Sequence, residues 1–236
     1  MGGGATETFL DVSFVRSAGE APVEVERVEY GKGYKWHGFE TRRYAGEVIV
    51  TVDRWGKLVV VNRIAVDGLL GGLVPAEIVA TAPMEALKAQ AVVARGEVFA
   101  KLGTRHFLDP YLLCAATHCQ VYSGLKVSHP RASKAVAATR GELLFLGPDL
   151  VDSVYSASCG GHGEDNDAVW SDPASKALRG RPDAAERPRL DLSDPDKLKV
   201  FLESPQKSFC RQSSFARKGV YRWKRLITST ELDAMV

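Results

Sequence analysis

Long apolar runs are missing from this 236-residue chain. None approaches the ~18–20 residues that cross a bilayer as a helix, so no membrane-spanning helix is expected. A surplus of one charge is missing as well. The 31 basic side chains stand against 29 acidic ones, net +2, too even for the electrostatic footprint of a nucleic-acid binder. Cysteine is scarce, with 4 residues at positions 114, 119, 159 and 210. That excludes a miniprotein held together by disulfides alone and leaves the pairing undetermined. The opening Met1-Gly-Gly-Gly-Ala-Thr-Glu-Thr8 lacks a basic stretch followed by an apolar one, so no signal peptide is expected in this sequence. Its triple glycine reads as an expression scar, and Thr228-Ser-Thr-Glu231 reads as a capping box that opens a helix close to the last residue. A fragment of a longer protein is the expectation.

What is present suits a globular fold with a sizeable core, since 45% of the residues are hydrophobic. Glu47–Val52 alternates as a strand, Asp53–Lys57 turns, and Leu58–Asn62 returns as a β-branched strand. Glu24–Glu29 and Thr8–Phe14 are further strand candidates. Asp67-Gly-Leu-Leu-Gly-Gly72 reads as a break before a short helix whose first turn holds Pro75 and Glu77. A longer helix is expected from Thr81-Ala-Pro83 to about Leu102, with Met84, Leu87, Ala91, Ala94 and Val98 forming one apolar stripe and Gly96 inside it. Residues 106–122 read as irregular, 131–139 as a short helix, and 142–146 with 151–155 as a second hairpin. From Pro173 to Pro205 the chain reads as a surface connection with one helix near 195–202. Strands and helices mix without a βαβ rhythm, which points to α+β, built of β hairpins with a few helices. The chain is expected to form one domain, with N-terminal strands over 1–45, a motif-bearing core over 46–170 and a loop-rich segment over 171–236.

Several residues carry chemistry. Glu77 at a helix start has a bland reading, a carboxylate complementing the helix dipole. His106, Cys114, His118 and Cys119 offer two nitrogens and two sulfurs, which suits a closed structural zinc site, with a local 114–119 disulfide as the alternative. Cys159 precedes a glycine pair and His162, which raises a cysteine hydrolase; the plainer reading is a glycine turn whose cysteine pairs with Cys210. Trp36, Trp55, Trp170 and Trp223 could stack on sugar rings or simply pack.

Val74-Pro-Ala-Glu77 with Glu85-Ala-Leu-Lys-Ala-Gln-Ala-Val-Val-Ala-Arg95, then Thr117-His-Cys-Gln-Val-Tyr-Ser-Gly124, Ala135-Val-Ala-Ala-Thr-Arg-Gly141 and Ser158-Cys-Gly-Gly-His162, resemble the four ordered motifs of the stage II sporulation protein D (SpoIID/LytB) family. The resemblance covers roughly residues 40–170 and, more loosely, Tyr221-Arg-Trp223. It implies a lytic transglycosylase that cleaves between N-acetylmuramic acid and N-acetylglucosamine in peptide-stripped peptidoglycan strands, leaving 1,6-anhydro ends. It also implies a glycan-binding groove between two lobes, an extracytoplasmic setting and a cell-wall amidase as partner. A non-catalytic amidase enhancer is the alternative. Glu77 matches the family's essential glutamate, with Lys88, Gln90, Arg95, Gln120, Tyr122, Ser158 and His162 as expected substrate-binding residues. His106, Cys114, His118 and Cys119 match a structural zinc site of some members, and no cofactor is needed for the chemistry. Lys88 and Arg95 are expected to act at a distance from Glu77, whose partial burial against Val74 and Ile78 should raise its pKa.

Overall fold

The computed structural model describes residues 13–16, 21–170, 173–186, 191–204, 207–216 and 219–233. Residues 8–12 of the expected first strand lie outside these. Two compact units span 1–154 and 155–236, so Ser158–His162 belongs with the second unit.

In the first unit, β1 (Ser13–Arg16), β4 (Glu47–Val52) and β5 (Leu58–Arg63) form an antiparallel sheet in the order β1-β4-β5. The β4–β5 hairpin keeps a regular register from Glu47↔Arg63 to Val52↔Leu58. Its turn is tied by Asp53, whose carboxylate accepts from the Trp55 and Lys57 amides, each at 2.9 Å. A separate ribbon pairs β2 (Val23–Tyr30) with β3 (Gly38–Tyr44), with a bulge between Val25 and Val28. The sequence hid β3 because an arginine, Arg42, occupies one of its two buried positions beside Tyr44.

Three helices pack on one another: α1 (Val66–Glu77), α2 (Met84–Lys101) and α3 (Pro130–Ala138). Leu70, Leu73 and Val74 of α1, Leu87, Ala91, Ala94 and Val98 of α2, and Ala132, Ala135 and Val136 of α3 form the dry interior. The stripe expected on α2 is therefore buried from Leu87 to Val98, with Met84 at its edge. The reading of α1 needs correcting. Asp67–Gly72 is helix rather than a break, and Glu77 is the last helical residue rather than part of a first turn.

Packing explains why those glycines are helical. A Cβ at Gly72 would sit 2.6 Å from the Gly124 carbonyl oxygen and 3.0 Å from the Tyr122 ring. Close approach of the 122–124 loop thus selects glycine against its helix propensity. Gly96 on α2 is chosen the same way, since a Cβ there would clash with Ser153 Oγ. Gly72→Ala is expected to destabilise the first unit by about 1–3 kcal/mol, because a backbone oxygen cannot swing aside as a side chain can. A denaturation midpoint equal to or above wild type would show that the loop yields freely.

The second hairpin is shorter than expected. β6 (Phe145–Leu146) and β7 (Asp149–Leu150) are two residues each. Past the Val151 amide bond to Leu144 O, Ser153 turns instead to α2, donating to Val93 O at 3.0 Å. In the second unit, α4 (Asn166–Trp170), α5 (Pro195–Glu203), α6 (Phe209–Gln212) and α7 (Ser229–Asp233) are short helices among turns. Asp194 caps α5, and Thr228 and Glu231 cap each other's amides at the start of α7. No described helix is long and apolar enough to cross a membrane. The described residues make an α+β fold.

Candidate active site

Glu77 ends α1, where Ile78 closes the last turn through its N–H to Val74 O. The residue faces solvent, yet its carboxyl is anchored on one side: the Gln120 amide donates to Oε1 at 3.0 Å from a side chain that is itself buried. Desolvation holds the Glu77 pKa above the ordinary 4.5, opposed by the Gln120 hydrogen bond and reinforced by the negative charge of Glu97. The helix C-terminus, negative end of its dipole, works in the same direction. An accessible carboxyl with a raised pKa is the profile of a proton donor.

Glu97 and Lys101 were not foreseen. Their i, i+4 spacing looks like a surface ion pair, but both side chains are largely buried and joined at 2.5 Å. Lys101 also donates to the Cys119 carbonyl at 2.6 Å, tying α2 to the residue before Gln120. Replacing Glu97 by Gln removes the like charge beside Glu77, so the Glu77 carboxyl should titrate at lower pH. Carboxyl-carbon NMR titration checks this, and an unmoved titration would remove Glu97 from the site.

The expected substrate-binding residues do not all face outward. Lys88 is part-exposed and bonded to Glu85 at 2.8 Å, while the Gln90 side-chain nitrogen is buried with no hydrogen-bond partner among the described residues. Arg95 requires correction: it is 2% exposed and spends its donors on Glu142 O, Val136 O and Asp67 Oδ1, bracing α2 against the chain around α1 and α3. Tyr122 is likewise interior. Its hydroxyl donates to Asn62 Oδ1 at 3.3 Å, and burial pushes its pKa to about 12. Arg42 donates to Tyr122 O at 3.0 Å and the Leu125 amide to Arg43 O at 2.8 Å, so Tyr122 and its neighbours sew the loop to β3. Ser158 and His162 lie in the second unit, where Ser158 Oγ accepts from the Gly160 amide and His162 Nδ1 bonds Gly163 O. All four tryptophans, at 36, 55, 170 and 223, are exposed.

The loop leading to Gln120 gathers the four soft ligands. One donor atom each from His106, Cys114, His118 and Cys119 lies within 4.8 Å of the others. His118 Nδ1 is 3.7 Å from Cys114 Sγ and 3.4 Å from Cys119 Sγ. His106 sits in the left-handed region at φ 54°, with Nδ1 fixed by Asp109 at 2.7 Å and a buried Nε2 that has no hydrogen-bond partner among the described residues. Burial opposes ionisation of Cys114, but the Ala116 amide and neighbouring His118, Cys119 and His106 overcome it and bring the thiol down to about 6.

Cys159 is the opposite case. Burial first, then Cys210 and Asp183, pushes its thiol up to about 12, which makes it a poor nucleophile and weighs against a cysteine hydrolase.

The site is thus a helix-end carboxyl held by Gln120, from a loop that carries a soft-ligand cluster. Residues 54–146 match the family model described as stage II sporulation protein, SpoIID. Over 102 residues, 43% of this chain, it is 37% identical to a Bacillus subtilis protein named amidase enhancer. Over 113 residues, 48% of this chain, it is 32% identical to an uncharacterised Brachyspira hyodysenteriae protein. The matched stretches cover 13% and 31% of those relatives.

Proposed function

We propose that this chain is a peptidoglycan lytic transglycosylase with Glu77 as its single acid/base, acting at the cell wall on glycan strands freed of their peptides. The observation that carries this reading is the solvent-facing Glu77 carboxyl whose pKa is raised while Gln120 fixes its position. Ordinary glycosidases need a second carboxylate to attack or to activate water. Here the muramic acid C6 hydroxyl is the nucleophile, and its attachment to the same ring replaces the entropy cost of recruiting water. Glu77 gives its proton to the bridging oxygen as the bond to C1 breaks. The C6 oxygen closes on C1, and the Glu77 carboxylate takes the hydroxyl proton. The acid is regenerated and no water is consumed.

The soft-ligand cluster fits a structural zinc. Bonds of about 2.3 Å to sulfur and 2.0–2.1 Å to nitrogen in a tetrahedron place the two donors about 3.5 Å apart, matching the His118–cysteine separations. A His106 Nε2 with no hydrogen-bond partner among the described residues, backed by Asp109 on the other ring nitrogen, is the usual arrangement of a ligating imidazole. Zinc held by His106, Cys114, His118 and Cys119 would supply rigidity and take no part in the reaction, and Cys119 would fix the neighbouring Gln120.

A second reading, a non-catalytic enhancer of a wall amidase, is favoured by the name of the Bacillus subtilis relative. Digestion of amidase-treated wall with wild type and Glu77→Gln separates the two. Anhydromuramyl products, lighter by one water than hydrolysis products and missing with Glu77→Gln, support the transglycosylase. Equal stimulation of an amidase by both proteins, without new sugar ends, overturns it in favour of the enhancer.

A further inference from the structure

We propose that Cys159 and Cys210 form a disulfide that staples the second unit, making its integrity dependent on redox state. The two sulfurs lie 3.4 Å apart although the residues are 51 positions apart in sequence. Their backbones are brought together by Asp183. Its amide donates to Gly161 O at 3.0 Å, its carbonyl accepts from the Phe209 amide at 2.9 Å, and its carboxylate accepts from the Cys210 amide at 2.8 Å. His162 pairs with Pro182 in a β-bridge, and the Arg222 guanidinium donates to Gly160 O at 3.0 Å. The contact is therefore built by backbone on both sides, not a chance approach of two flexible side chains.

The unit also needs such a bond. Among its described residues no apolar side chain is buried; Gly161, Asn166 and Ser208 occupy the interior, while Trp170, Val200, Phe209 and Trp223 are exposed. A small unit without an apolar interior depends on crosslinks for cooperative stability. Closing a loop of this length removes much of the freedom of the unfolded chain.

A metal fits less well. Cys159, Asp183 and Cys210 are three donors, one short of the closed tetrahedral set, and the carboxylate is already engaged by the Cys210 amide. The four cysteines thus divide by chemistry. Cys114 and Cys119 sit with two imidazoles, whereas Cys159 and Cys210 face each other. Formation takes two thiol–disulfide exchanges with a small disulfide such as oxidised glutathione. One protein thiolate attacks it and releases one glutathione thiolate. The second protein thiolate then attacks the mixed disulfide and releases the other. Two protein protons are lost, and glutathione takes up the two electrons.

The full chain, kept in zinc to occupy the first cluster, is incubated with oxidised or reduced glutathione, mapped by non-reducing mass spectrometry and digested with trypsin. The expected result is a 159–210 linked peptide and cleavage within 155–236 slowed at least ~10-fold by oxidation, a protection absent in Cys210→Ala. Three results overturn the proposal. One is a different or absent crosslink in the oxidised wild type. Another is equal cleavage in both redox states despite the 159–210 link. The third is a second thiolate-bound cobalt(II) in the reduced chain, lost in Cys159→Ala.

Discussion

Glu77→Gln is expected to lower turnover on denuded glycan strands by about 10²–10⁴-fold, the range that a positioned general acid/base contributes. The substitution keeps an oxygen acceptor for the Gln120 amide, so the local hydrogen bond can survive while the proton is lost. Stability gives an independent readout. Because the folded-state pKa of Glu77 lies above 4.5, ionisation of this group opposes folding. Its favourable contribution is complete below the unfolded value and is lost as pH rises through the folded one. Glu77→Gln should therefore match wild type near pH 4 and gain thermal stability relative to it at pH 8. Wild-type activity should fall on the same alkaline side, as the acid form is depleted. Turnover by Glu77→Gln within a few-fold of wild type would end the assignment, whatever the stability curves show.

Removing the zinc proposed at His106, Cys114, His118 and Cys119 is the second large effect expected. Cys119→Ser removes a ligand whose carbonyl also receives Lys101 and whose neighbour Gln120 holds Glu77, so one change should be felt at three points. Activity should drop although Glu77 is intact, and amides in 106–122 should exchange faster, with recovery on zinc addition in the chelated wild type. Asp109→Ala, which leaves every ligand in place, should weaken zinc binding by about 10–100-fold through the released His106 ring. Elemental analysis expected to find one zinc per chain under reducing conditions would contradict this if it found none, with a 114–119 disulfide by mass spectrometry.

Much of this was legible because it is local. The 47–63 hairpin, α2 with its buried stripe, the helix near 195–202 and the α7 cap all follow from patterns within a few residues. The errors came where distant contacts outweighed local preference. Gly68, Gly71 and Gly72 argued for a break before residue 75, yet Gly72 is selected by the backbone of Gly124, more than 50 positions away. Arg42 masked a strand because its charge is met by Glu40 and by the Tyr122 carbonyl. Arg95 and Tyr122 were expected at the substrate from the resemblance; here both are satisfied inside the fold.

By itself the sequence supplied the fold class, Glu77 and the four metal-type ligands as candidates, and the resemblance to the SpoIID family over roughly residues 40–170. Those rest on residue type and short spacing, which the chain carries wherever it folds. Only the tertiary structure decided that Glu77 closes a helix against Gln120, that Glu97 charges its surroundings, and that Cys159 meets Cys210. Each of these joins segments far apart in sequence, and a proton affinity or a sulfur–sulfur contact is set by what lies beside a group in space rather than along the chain.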